Sequence, residues 1–315
     1  MSDRRFVLHV AIYEGDLFVV KRCYQCLQDT IASPQALNCA ARYGHLHIVE
    51  YIHRHRNQDG CTTAAMDDAA THGHLPIVQF LTFHRTEGCT TRAMDGAAKN
   101  GYLDIVQFLH THRNEGCTHV AMNAAAEHGH LEIVDFLHRH RSEGCTIDAM
   151  DFATQNGHLD VVEYLHWNRS EGCSVDALNW AAEGGHLELV HFLNDHRHEG
   201  CTVEAMDMAS QNGYIDIVEF LHENRSEGCT TAAMDFAAAQ DHMDVVEFLH
   251  VNRREGCTAD ALIWAAQNGH LEIVQFLWIH RGQDVRRHVT LAIRAAARHD
   301  QIEVQQYLEF QQANQ

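Results

Sequence analysis

A cysteine returns every 28 residues along this chain, at positions 61, 89, 117, 145, 173, 201, 229 and 257, most often inside Glu-Gly-Cys-Thr. A fixed period of this length marks a stacked repeat array, because a unit so short cannot bury a core of its own and must lean on its neighbours. It also redirects the search for function. Residues that recur in every unit are explained first by stacking, so specificity has to lie where the units differ.

An array grows by addition, so 315 residues do not imply two separate cores. The formal net charge of −20 argues against nucleic acid as a partner, since that affinity comes largely from Lys and Arg neutralising phosphates. It disfavours anionic membranes as well. No run of apolar residues reaches the ~18 needed to span a bilayer. The basic start, Met-Ser-Asp-Arg-Arg before Phe6-Val7-Leu8-His9-Val10, lacks the long apolar run and cleavage site of a secretory signal. Stacked helices lie ~8–10 Å apart, beyond the ~7 Å between Cα atoms that a disulfide tolerates, so the repeated cysteines should stay unpaired. A reducing compartment, cytoplasm or nucleus, is expected.

The unit Cys145 to Gly172 reads as a helical hairpin. Thr146 is a suitable N-cap and Asp148 suits the positive end of a helix running through Ala149-Met150-Asp151-Phe152-Ala153-Thr154-Gln155-Asn156. Gly157 supplies the left-handed residue that ends it. A second helix follows over His158–His166, with Leu159, Val162 and Leu165 inside and Asp160 and Glu163 outside. Pro76 falls where a helix start tolerates it. Ala153, Ala181, Ala209, Ala237 and Ala265 form a small-residue column suited to close helix contact. Further copies of the second-helix start occur at Gly15-Asp16-Leu17, which is degraded, at Gly44-His45-Leu46, which is good, and at Asp300-Gln301-Ile302, for eleven such helices in all. The expected organisation is a degenerate N-terminal capping repeat over 1–31, an array over 32–282 and a C-terminal capping repeat over 283–315. Arg286, Arg287, Arg298, Gln305, Gln306, Gln311 and Gln312 would give that last cap its polar surface.

Ala97-Ala98-Lys99-Asn100-Gly101-Tyr102-Leu103-Asp104-Ile105-Val106-Gln107-Phe108-Leu109 resembles the ankyrin core Ala-Ala-x-x-Gly-His-Leu-Glu-Val-Val-x-Leu-Leu. The likeness recurs from about residue 36 to 281. Two features depart from the family. Thr-Pro-Leu-His becomes Thr-x-x-Ala-Met-Asp, and the unit is 28 residues instead of the usual ~33, the shortfall lying where ankyrins project a β-hairpin. The chain is similar to the short, cysteine-bearing ankyrin-like repeats of some protists and large DNA viruses, and delivery to a host cell stands beside cytoplasm and nucleus as an expected location. The resemblance implies an all-α solenoid of stacked helix–turn–helix repeats lacking full β-hairpins. It further implies a scaffold for protein–protein contact through the hairpin tips, shortened here, and the inner faces of the first helices; a monomer is expected.

Four columns recur and each has an ordinary explanation. Arg56, Arg85 and every equivalent through Arg281 follow the second helices, with an acid two residues on in all but one of the nine units after allowing for Asp59. These arginines could capture an acidic ligand, but serving the helix's last carbonyls and pairing with that acid is the simpler reading. The cysteines come one per unit, and Cys23-x-x-Cys26 has no partner pair, so no zinc set is complete. Histidines after glycine belong to the ankyrin pattern, and pairs such as His110-x-His112 supply only two metal ligands. The column Asp67, Asp95, Asp151, Asp207 and Asp235, with Asn123 and Asn179, is expected to bond nearby backbone. No catalytic motif, phosphate loop or cofactor fingerprint occurs, so catalytic residues, metal ligands and cofactors are all read as none.

One column is not constant. The residue after the Asp column runs Cys39, Asp68, Gly96, Ala124, Phe152, Trp180, Met208, Phe236, Trp264, turning from small or polar to large and apolar at 152. Along the same helix face lie Gln155, Asn156, Gln211, Asn212, Gln267 and Asn268. An apolar ridge beside amides fits the binding of a protein or peptide partner, and equally fits packing between units by bulkier side chains. A metal- or redox-buffering role for the Cys and His columns is the alternative from another class. Trp167, Phe83, Trp278 and Ile279 stand out at second-helix ends, and Asp241 replaces a turn glycine.

Overall fold

The computed structural model describes residues 4–26 and 33–314, so Met1 to Asp3 and the last residues of the expected N-terminal cap, 27–31, lie outside it. The described residues are helical throughout, with no strand, and the all-α solenoid of stacked hairpins read from the sequence is the fold observed. Two compact units divide the chain, Met1–Gly172 and Cys173–Gln315. In the first, the opening helices of successive hairpins are Arg4–Glu14, Gln35–Arg42, Thr63–Thr71, Thr91–Lys99, His119–Glu127 and Asp148–Gln155. Their partners are Leu17–Cys26, Leu46–His55, Leu75–His84, Leu103–His112, Leu131–His140 and Leu159–Asn168. In the second unit the opening helices are Asp176–Glu183, Val203–Gln211, Thr231–Ala239, Ala259–Asn268 and Val289–Arg298. Leu187–His196, Ile215–Asn224, Met243–Asn252, Leu271–His280 and Ile302–Ala313 complete those hairpins.

Burial follows the repeat. Ala209, Ala237 and Ala265 are fully buried, as are Val218, Val246 and Val274 on the second helices. Small residues on the first helices let backbones approach, and branched residues on the second fill the space between hairpins. Thr62, Thr90, Thr118, Thr202, Thr230 and Thr258 each accept a hydrogen bond from the backbone N–H two residues on, closing the helix start. The hairpin at 145–172 differs slightly from expectation. Its first helix is Asp148–Gln155 with Ile147 at the N-cap, and Thr146 Oγ1 still accepts from Asp148 N at 3.3 Å. Pro76 lies in the first turn of Leu75–His84.

Gly101 shows why the turn between the helices needs glycine. Its φ is 81°, and an added Cβ would meet Cε1 of His130, from the next hairpin, at 2.8 Å. Asp241 holds the same turn with φ 67° and a full side chain. Aspartate tolerates this region better than most residues but still at a cost. Asp241→Gly is therefore expected to stabilise the protein by about 0.5–1 kcal/mol, read as a higher denaturant midpoint with an unchanged slope. An unaltered midpoint would mean that the Asp241–His270 contact, 3.4 Å, already offsets the backbone strain.

The Trp278 indole is buried, not displayed at a helix end. It packs under Arg286, whose guanidinium lies 5.3 Å from the ring centre and donates to Trp278 O at 3.2 Å. Trp167, Phe83 and Ile279 are exposed.

Candidate interaction face

The recurring polar columns turn out to be bonds between hairpins. Asp235 is buried, and its carboxylate accepts from Thr258 N at 2.8 Å and from Thr258 Oγ1 at 2.7 Å. Asp67 with Thr90, Asp95 with Thr118 and Asp207 with Thr230 repeat the clasp. The bond therefore goes to the N-cap of the following hairpin, not to the aspartate's own helix. Asn38, Asn123 and Asn179 make the same clasp with Thr62, Thr146 and Thr202, accepting from the backbone and donating Nδ2–H to the hydroxyl. With asparagine the threonine proton is released, and Thr146 Oγ1 donates it to Asp148 at 2.9 Å. Burial, only partly offset by Thr258, pushes the Asp235 carboxyl above its ordinary value.

The arginine column is a second clasp. Arg113 Nε donates to Glu115 Oε2 at 3.2 Å and its Nη2 to Oε1, a two-pronged pair. Glu115 Oε1 also accepts from Cys89 N, one turn earlier in the array, at 3.3 Å. The two-pronged pairing recurs at 85/87, 141/143, 169/171 and 197/199, and its Nη2–Oε1 prong alone at 225/227 and 253/255. Arg56 and Arg281 reach Asp59 and Asp284 instead. The bond from Arg113, outweighing burial, holds Glu115 at about 2. These guanidiniums are committed to acids of the chain, and a ladder for an outside acidic ligand loses its basis.

All eleven cysteines are free. Burial first, and the neighbouring carboxylate second, push the Cys61 and Cys145 thiols up to about 11 and Cys89 up to about 12. Such thiols are protonated at neutral pH, the opposite of a metal ligand or redox nucleophile. Among the described residues no three His, Cys, Asp or Glu converge on a point that could hold a metal ion. The histidines after glycine also bridge hairpins, His74 Nε2 to Arg42 O at 3.1 Å and His270 Nε2 to Ala239 O at 3.1 Å.

The variable column occupies a middle ground. In the second unit Trp180, Met208, Phe236 and Trp264 are each half-buried, neither core nor fully open. Phe236 and Trp264 stack across neighbouring hairpins with ring planes 3° apart and centroids 5.6 Å apart. Packing between hairpins and partial exposure thus coexist in the same side chains. Phe152 is half-buried in the first unit. The amides beside the ridge divide into two kinds. Asn212 Nδ2 donates to Glu183 O at 2.9 Å and Asn268 Nδ2 to Ala239 O at 2.8 Å, joining the ends of adjacent first helices. Asn156 Nδ2 closes its own helix on Phe152 O at 2.8 Å. Gln211 and Gln267 are half-buried beside the ridge and Gln155 is exposed.

These hairpins, with short first helices holding an Ala column, a Gly-His turn and second helices of Leu-x-x-Val character, match the family model for ankyrin repeats (3 copies) at residues 8–95, 94–176, 151–232, 206–289 and 233–314. The chain belongs to the ankyrin repeat family. Among curated proteins no relative matches it. Ankyrin repeats are as a class protein–protein interaction modules. No described helix is long and apolar enough to cross a membrane.

One feature of the face escaped the reading by columns. Four residues before the ridge, one turn back on the same face, stand Asp148, Asp176, Glu204, Ala232 and Asp260. In the units whose ridge residue is small or polar, that place holds Gln35, Ala64, Arg92 and Val120. The signal was present in the sequence, but only as a correlation between two columns.

Proposed function

We propose that this protein is a non-enzymatic scaffold that binds a protein or peptide partner across the first helices of residues 173–315, along Trp180, Met208, Phe236 and Trp264. The half-buried ridge carries the reading. The constant columns of the ankyrin array are absorbed by burial, by Arg–Glu pairs or by bonds between hairpins, and this varying one retains partly exposed apolar side chains. Phe152 with Gln155 and Asn156 bears the same pattern in the first unit. The terminal stretches 1–31 and 283–315 act as caps for the array 32–282. The metal- or redox-buffering alternative draws no support from thiols held protonated by burial.

Replacing Trp180, Phe236 and Trp264 singly by Ala tests the site. The expected result is a loss of at least about tenfold in partner binding, with a melting temperature lowered only modestly, since each side chain is only half-buried. A steep loss of stability, on the ~3–5 kcal/mol scale of a buried aromatic truncation, would make these residues core and remove the site.

A further inference from the structure

The flanks of the ridge indicate what it binds. In the second unit the segments 176–184, 203–212, 231–240 and 259–268, which hold the ridge, contain no Lys or Arg, whereas the last first helix, Val289–Arg298, carries Arg294 and Arg298. Asp176, Glu204 and Asp260 stand one turn before Trp180, Met208 and Trp264, and Glu183 one turn after Trp180, so carboxylates border the ridge on both sides. Glu183, Glu204 and Asp260 are exposed and Asp176 is half-buried. The helix dipole favours an acid near any helix start. It would do so in every hairpin, yet Gln35, Ala64, Arg92 and Val120 hold that place where the ridge residue is small or polar. On the other flank those earlier hairpins carry Arg42, Thr71, Lys99 and Glu127, where the later ones carry Gln155, Glu183, Gln211, Ala239 and Gln267. Acid gain on the flank before the ridge (Ala232 excepted), loss of the flanking Arg and Lys, and the turn to large apolar side chains thus occur in the same hairpins. Stacking gives no reason for the three to travel together. Recognition does, because carboxylates beside an apolar ridge hold cations by charge while the ridge takes up apolar side chains.

Resting on the ridge reading above, we propose that the occupant is an extended, cationic segment of a partner protein, with Lys or Arg side chains interleaved with large apolar ones. The apolar side chains seat on Trp180, Met208, Phe236 and Trp264, and the cations lie against Asp176, Glu183, Glu204 and Asp260.

The test is selection of phage-displayed random peptides of about twelve residues on the full chain, followed by anisotropy titration of the enriched peptides as synthetic fluorescent probes. Enrichment of peptides with net positive charge and Leu, Phe or Trp is expected. Their affinity should fall at least about fivefold between about 50 and about 300 mM NaCl, as screening of partly exposed charges requires. Glu183→Lys and Glu204→Lys should each weaken binding at least about fivefold with the melting curve little changed. Trp264→Ala should weaken it at least about tenfold. Neutral or acidic peptides that still need Trp264 would overturn the cationic partner and leave the ridge standing. Peptides indifferent to both the ridge and the acids, or no enrichment at all, would overturn both readings.

Discussion

Asp235→Ala is expected to destabilise the protein by about 2–4 kcal/mol, whereas Asp235→Asn should stay within about 1 kcal/mol of the parent. The alanine strips Thr258 of two acceptors at once, at 2.8 and 2.7 Å, and leaves its backbone N–H without its partner. Asparagine can rebuild both bonds by accepting from the N–H and donating to the hydroxyl, which is what Asn123 and Asn179 do with Thr146 and Thr202. It also removes a buried negative charge that the fold disfavours, as the raised Asp235 carboxyl shows. Because arrays need not unfold in one step, hydrogen exchange is the better measure. Opening should concentrate in the helices Thr231–Ala239 and Ala259–Asn268 that the clasp joins. Equal losses for the two variants would mean that the carboxylate charge, not the bonding pattern, is what the position needs.

Acidification is expected to unfold the array, and the sign follows from where protons bind. Glu87 and Glu115 are held at about 2, below their ordinary 4.5. For Glu87 burial is the largest influence and acts upward, but the bonds from Arg85 and backbone together outweigh it. Glu143, Glu171, Glu199, Glu227 and Glu255 are lowered as well. Between their ordinary and folded values the unfolded chain takes up protons that the folded chain refuses, so stability falls as pH falls. The histidines add to this at milder pH. Burial first, and then Arg85, Arg141 or Arg281, lower His53, His110 and His250 from 6.5. Each faces a second histidine of the next hairpin, His84, His140 or His280, with ring centroids 6.0, 5.6 and 5.3 Å apart. Protonation there would place cation against cation. Asp95 and Asp235, raised by burial, work the other way: what they add is present at low pH and lost as pH rises through their folded values. Burial lowers His74 and His130 too, so two such groups oppose seven glutamates and five histidines. Melting temperature should therefore be flat above pH about 7, begin to fall below about 6.5, and fall most steeply below about 4.5. High salt should blunt the steep part, since the Arg–Glu pairs retain some solvent contact. A melting temperature that holds down to pH about 4 would remove both the glutamate and the histidine contributions.

Much of this was legible from residues alone. The 28-residue period, the Gly-His turn and the buried Ala and Val columns specify a hairpin that only stacking can complete, and those hairpins formed with boundaries within a residue or two of expectation. Short-range chemistry decides such features: a threonine cap, a left-handed glycine and an apolar face at helical spacing act within a few residues. The partners of the constant columns were not legible in the same way. Asp235 and Thr258 are 23 residues apart, and Glu115 reaches Cys89 across 26. A column seen in one unit does not say whether its bond stays at home or crosses to the next.

The ridge shows the division most clearly. The sequence by itself determined that the chain is an ankyrin-type array and that one column turns large and apolar at Phe152. Periodicity dictates both, because each is a comparison of like positions along the chain. Only the tertiary structure decided that Trp180, Met208, Phe236 and Trp264 are half-buried, and that Phe236 and Trp264 lean ring to ring while staying partly exposed. A residue at the border of a helix's buried face is assigned by how closely the next hairpin approaches, and that distance is a property of the stack.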